Sequence, residues 1–94
     1  MKLEEFKATL ALDVPPQGLS GAVQALWYVA NNDWDRAHKL AQNQDDGVGA
    51  WVHAHLHRVE GDLRNAGYWY RRADRPECAG SLEAEWDDIA AAIL

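Results

Sequence analysis

Apolar residues recur at intervals of three and four along most of the chain, the spacing that places side chains on one face of an α-helix. The last segment is the clearest, since Leu82, Trp86, Ile89 and Ile93 share one face. Prolines and polar clusters separate the periodic segments. The pattern predicts an all-α fold of about six short helices, at about residues 3–10, 19–30, 34–42, 48–60, 63–73 and 82–94.

A short motif between helices occurs twice. Asn32-Asp33-Trp34-Asp35-Arg36-Ala37 is echoed 29 residues later by Gly61-Asp62-Leu63-Arg64-Asn65-Ala66. Asn and Gly tolerate the left-handed backbone that follows a helix C-terminus, and the aspartate after each accepts hydrogen bonds from the next helix. Two-residue turns make the flanking helices antiparallel. The chain is therefore predicted to be a single domain of two stacked hairpins, at about 19–42 and 48–73, with the first and last helices as caps.

The second copy carries a family resemblance. Gly61-Asp62, followed by Ala66, Tyr70 and Ala73, resembles the second half of a tetratricopeptide repeat and of its shorter Sel-like relatives. The stretch from Gly61 to Ala73 also looks like the C-terminal half of a group of short microbial proteins. The resemblance implies tetratricopeptide-like stacking of the hairpins and a role as a scaffold or interaction module.

Composition excludes several classes of partner. The net charge of −6 argues against nucleic-acid binding, and no apolar run reaches the length of a membrane span or of a signal peptide. A single cysteine, Cys78, fits a reducing compartment, so we expect a soluble, cytoplasmic protein. The charge is uneven: residues 49–76 contain five arginines against three acids, and the rest of the chain contains four basic residues against twelve acids.

The fourth predicted helix carries a candidate metal site. His53, His57 and Glu60 are spaced so that two imidazoles and a carboxylate share one helix face, whereas His55 points away. His38, on the preceding helix, is a possible further ligand. One divalent transition metal bound here would make the protein a small metal-binding protein or a hydrolase. The alternative is that these histidines flank the core and bond to neighbouring carbonyls and carboxylates.

The fifth predicted helix carries a candidate partner-binding face, because exposed arginines beside aromatic rings suit a carboxylate, a phosphate or an acidic peptide. The predicted partner-binding residues are Arg64, Tyr68, Trp69, Arg71 and Arg72, with Trp51 on the fourth helix as a further anchor. The alternative is that the arginines bridge to nearby acids: Glu60, Asp62 or Asp74.

No motif for catalysis stands out, so an enzyme is the less favoured class. The leading hypothesis is a non-enzymatic interaction or scaffold module, without a cofactor, that binds a protein or an acidic peptide. Self-association as a homodimer is also open, because Ile93 and Leu94 form an apolar pair at the end of the last helix.

Overall fold

The computed structural model describes residues 1–94 and contains six α-helices and no β-strand, which confirms the predicted all-α fold. The helices are α1 (Leu3–Thr9), α2 (Gly21–Ala30), α3 (Trp34–Asn43), α4 (Gly47–Val59), α5 (Leu63–Ala73) and α6 (Leu82–Ile93). None of them combines the length and apolar character that crossing a membrane requires.

The repeated motif forms the two tight turns that it predicts. Asn32 and Gly61 both have left-handed backbones, with φ of 63° and 85°. After α2, the amide of Asp33 donates to the carbonyl of Tyr28, and after α4 the amide of Asp62 donates to the carbonyl of His57, each at 2.9 Å. These are the backbone bonds of a Schellman motif. The same aspartates cap the next helices, through hydrogen bonds from backbone amides three residues further on.

The two turns produce two helical hairpins, in which α2 packs against α3 and α4 packs against α5. The hairpins meet where α4 contacts α2 and α3, and α6 contacts both α2 and α4. Helix α4 is therefore the central element, and it contacts four other helices: α2, α3, α5 and α6. Because α4 is covered on several sides, buried apolar residues alternate along it with buried histidines.

The main core lies between the hairpins and the two terminal helices. It consists of Phe6, Ala22, Val23, Ala25, Leu26, Trp27, Ala37, Ala41, Val52, Leu56, Trp86, Ile89 and Ala90. The rings of Phe6 and Trp86 stack with their centroids 5.6 Å apart, so α1 and α6 close the core together. The terminal pair Ile93 and Leu94 is half-buried against this core. A second, smaller cluster of Ala54, Ala66 and Tyr70 joins α4 to α5.

The link between the hairpins is shorter than the polar turn that the sequence suggests, because α4 already begins at Gly47. Asp46 caps α4 by accepting a hydrogen bond from the amide of Gly49 at 2.8 Å. Gly49 passes so close to α3 that a Cβ there would lie 1.8 Å from the carbonyl oxygen of Gln44. The Gln44 side chain accepts a hydrogen bond from the amide of Ala22 at 2.7 Å and so ties this link to the start of α2.

Candidate functional site

Three of the four histidines meet between α3 and α4. His53 and His57 are one turn apart on α4, and His38 of α3 faces them across the helix interface. One ligand nitrogen from each imidazole lies within 4.8 Å of the other two, and the Nε2 atoms of His38 and His53 are 2.9 Å apart. We call these three residues the histidine cluster. The cluster contains His53 and His57, two of the predicted metal ligands, and His38, the predicted further ligand.

Two tryptophans hold the cluster from either side. The Trp34 ring stacks on His38 with a centroid distance of 4.7 Å, and the Trp69 ring stacks on His53 at 3.7 Å. The indole nitrogen of Trp34 donates to the carbonyl of Leu56 at 2.7 Å, which fixes its orientation. Trp69, predicted as a partner-binding residue, is therefore half-buried against the histidine cluster.

Glu60, the predicted carboxylate ligand, contacts one member of the cluster. Its Oε1 lies 2.6 Å from Nδ1 of His57. A carboxylate on Nδ1 leaves Nε2 of the same ring as the available nitrogen. The Glu60 side chain is thus placed behind a histidine, at the edge of the cluster.

Burial sets the protonation of two members of the cluster, His38 and His53. Burial, and then the proximity of the other two histidines, lowers the pKa of His53 to about 4. Burial is also the main cause that lowers the pKa of His38, followed by the charge of His57. His53 is only 3% exposed, and its Nδ1 has no hydrogen-bond partner. At neutral pH the His38 and His53 imidazoles are therefore uncharged.

A second polar group lies on the opposite side of α4, around the carboxylate of Glu85. His55 Nδ1 and an Arg58 guanidinium nitrogen are 2.7 Å and 2.9 Å from its Oε1, and the Tyr70 hydroxyl donates to its Oε2. Arg58 also donates to the carbonyl of Gly80 at 2.6 Å. We call His55, Arg58, Tyr70 and Glu85 the buried carboxylate network.

The network keeps Glu85 ionised although the residue is only 3% exposed. Burial alone would raise the pKa of its carboxyl, but the hydrogen bonds from His55, Tyr70 and Arg58 outweigh burial and lower the pKa to about 2. Burial, and then the hydrogen bond to Glu85, raises the pKa of the Tyr70 hydroxyl. Sequence reasoning missed this network, although a signal was present: His55 and Glu85 each lie three residues after one apolar stripe residue and four before the next.

The predicted partner-binding arginines lie on the exposed side of α5. Arg64, Tyr68 and Arg71 line a shallow depression of about 450 Å³ together with Asp62 and Asn65. Arg72 donates to the Tyr68 hydroxyl at 3.1 Å. We call Arg64, Tyr68, Arg71 and Arg72 the arginine face.

Trp51, the sixth predicted partner-binding residue, is not part of this surface. It is half-buried on α4, and the guanidinium of Arg75 covers its ring at 4.0 Å from the centroid. It lines a separate cleft of about 220 Å³ with Cys78 and Asp88. The sequence predicted Trp51 as a further anchor on the fourth helix, but the packing of the helices places it on a different surface from Arg64 and Arg71.

A comparison of the chain with protein-family models, with curated proteins and with solved structures finds no match in any of the three.

Proposed function

We propose that the protein is a non-enzymatic interaction module that binds an acidic segment of a partner protein on its arginine face. The observation that carries the proposal is that Arg64, Arg71 and Arg72 have no carboxylate partner. The ion pairs of the protein involve other residues. A guanidinium with an unused fork of donors binds a carboxylate in a bidentate manner.

Two of the three acids that the sequence offers as partners have other contacts. Glu60 contacts His57, and Asp62 accepts the hydrogen bond that caps α5. No ion pair of the protein joins these acids or Asp74 to the arginines, so internal bridges, the alternative explanation of the arginines, are not formed. The positive charge on α5 stays available in a protein whose net charge is −6.

The aromatic residues give the arginine face a defined shape. The Arg72 guanidinium lies 5.2 Å from the centroid of the Trp69 ring and 5.8 Å from that of Tyr68. Because contact with these rings restricts the orientation of the guanidinium, less side-chain entropy is lost when Arg72 binds a carboxylate. Tyr68 is 44% exposed and adds a large amphipathic ring next to the depression. Such a combination of arginine and tyrosine is typical of residues that dominate binding energy at protein interfaces.

Fluorescence anisotropy with a labelled hexaglutamate peptide tests the proposal. The peptide should bind at low ionic strength, and binding should weaken as salt is added, because the contacts are between exposed charges. The double variant Arg64→Gln/Arg71→Gln should lose binding. The matched control is Arg36→Gln/Lys39→Gln on α3, which removes the same charge and should bind almost as the wild type does.

Equal losses in the two double variants would show that net charge alone attracts the peptide, and the arginine face would not be a site. No binding of the peptide at low ionic strength would also contradict the proposal. The other possible occupant of the arginine face is a second copy of the chain, and sedimentation of the protein alone tests for it. If the wild type is a dimer and Arg64→Gln/Arg71→Gln is a monomer, the face binds an acidic surface of the same chain.

A further inference from the structure

We propose that the histidine cluster binds one divalent transition-metal ion through one imidazole nitrogen each of His38, His53 and His57. All three ligand nitrogens already lie within 4.8 Å of one another. Around zinc, with Zn–N bonds of about 2.0–2.1 Å, two tetrahedral ligand nitrogens lie about 3.3 Å apart. The observed 2.9 Å between the Nε2 atoms of His38 and His53 must open slightly, and the other separations, which are at most 4.8 Å, must reach the same value through small side-chain rotations.

Glu60 supplies the support that metal-binding histidines usually have. A ligating imidazole normally donates its second ring N–H to a carboxylate, a carbonyl or water, which fixes the tautomer and orients the ring. Nδ1 of His57 lies 2.6 Å from a Glu60 carboxylate oxygen. With a proton on Nδ1, the lone pair of His57 is on Nε2 and is free to bind the ion. Glu60 is thus a positioning residue in this site.

The hydrogen bonding of the cluster differs from that of a purely structural histidine. Buried polar groups are normally satisfied by carbonyls, carboxylates or water. His55, on the same helix, follows this rule through Glu85. His53 does not, because one ring nitrogen faces another imidazole and the other has no partner. One of the two facing Nε2 atoms carries a proton that the other accepts. When that ring carries its proton on Nδ1 instead, both Nε2 lone pairs are free to bind one metal ion.

The donors determine the class of ion. Three imidazoles favour Zn²⁺, Co²⁺, Ni²⁺ or Cu²⁺ over Mg²⁺ and Ca²⁺, which prefer oxygen ligands. The cluster is also reachable, since His53 lines a cleft of about 280 Å³ between the start of α4 and the end of α5. Asp45 and Asp46 line the same cleft, and their two negative charges outnumber the positive charge of Arg72, which lines it as well, so the cleft attracts cations.

Titration of the whole chain with CoCl₂ and ZnCl₂ tests the site. Co²⁺ bound by imidazoles in a four-coordinate site gives intense visible absorption, and calorimetry gives the stoichiometry, expected at one ion per chain. Zn²⁺ should displace Co²⁺, and MgCl₂ should not. The variants His38→Gln and His57→Gln should abolish the cobalt spectrum. Glu60→Gln should keep the spectrum but weaken affinity about 10- to 100-fold, as expected when a supporting carboxylate is removed.

The fourth histidine provides the matched control. His55→Gln removes one imidazole from the same helix but leaves all three ligands, so it should bind Co²⁺ as the wild type does. Circular dichroism checks that each variant is folded, and His38→Gln is the safest variant because His38 is only half-buried. If Co²⁺ does not bind, or if folded His38→Gln and Glu60→Gln bind it unchanged, the proposal is wrong. Anisotropy of the hexaglutamate peptide is a separate measurement, so the failure of either proposal is distinguishable from that of the other.

Discussion

At the scale of single residues, the least expected feature is an ionised glutamate inside a small helical protein. A charged side chain is costly to bury, and it is tolerated only when hydrogen bonds and opposite charges surround it. Glu85 has three such neighbours, which come from α4 and α5. Because these bonds form only when Glu85 lies beside α4 and α5, the network fixes the position of α6 on the hairpins. It also makes the free energy of unfolding dependent on pH.

The free energy of unfolding should fall when the solution is acidified. The pKa of Glu85 is about 2 in the folded protein against an ordinary value of 4.5, so its contribution is complete above pH 4.5 and is lost as the pH falls toward 2. From Glu85 alone the loss is about 2 kcal/mol between about pH 6 and about pH 3. Urea denaturation at the two pH values measures it. Glu85→Gln should be less stable at about pH 6 and should show a smaller loss on acidification; identical losses would assign the acid sensitivity to other groups.

At the scale of helices, the ends of the elements follow closely from the local sequence. Asn32 and Gly61 end α2 and α4 as predicted, and Ser81 caps α6 through the amide of Ala84 at 3.0 Å. These signals are local, because a capping side chain or a left-handed residue acts within a few positions of itself. The sequence also shows which residues share a face of one helix. It therefore predicts His53 and His57 as a pair.

The contacts between helices, unlike the helix ends, could not be predicted from the local sequence. Helical periodicity does not fix how α3 is rotated about its axis relative to α4, and this rotation brings His38 to His53 while Glu60 bonds to His57 alone. The pairing of His55 with Glu85 spans 30 residues. Gly49 looks like a poor helix former in the sequence, but it permits the close approach to Gln44. All three features depend on the tertiary packing.

The two turns allow a direct test of the left-handed helix end. Gly61→Val should lower the free energy of unfolding by about 1–2 kcal/mol, because a β-branched residue is strained at positive φ. No atom lies within 4 Å of the place that a Cβ would occupy, so the cost comes from the backbone and not from a clash. Gly61→Asn is the matched control, since Asn32 holds the same conformation in the other hairpin. Chemical denaturation should rank the variants as wild type, Asn, then Val, and equal stability of all three would contradict the assignment.

At the scale of the whole molecule, the polar sites are held by a small core in which aromatic rings of the two terminal helices stack on each other. For 94 residues the expected free energy of unfolding is about 5–14 kcal/mol, so one large core side chain is a substantial part of the total. Trp86 has such a position. It stacks on Phe6 of α1, and its indole nitrogen donates to the carbonyl of Leu26 in α2 at 2.9 Å. It thus connects both terminal helices to the first hairpin.

Replacement of Trp86 should therefore destabilise the whole domain and not only α6. Trp86→Ala removes the stacked ring, leaves a cavity and should cost about 3–5 kcal/mol. Trp86→Phe keeps an aromatic ring against Phe6 but loses the hydrogen bond to Leu26, so it should cost about 1–2 kcal/mol. Urea titration followed by circular dichroism and by the fluorescence of the remaining tryptophans measures both variants.

For Trp86→Ala the two signals should change together at a lower urea concentration than in the wild type, because α1, α6 and the hairpins share one core. If the fluorescence of the four remaining tryptophans keeps its wild-type midpoint while part of the helical signal is lost earlier, the terminal helices unfold independently, and α1 and α6 do not form one cooperative unit with the hairpins.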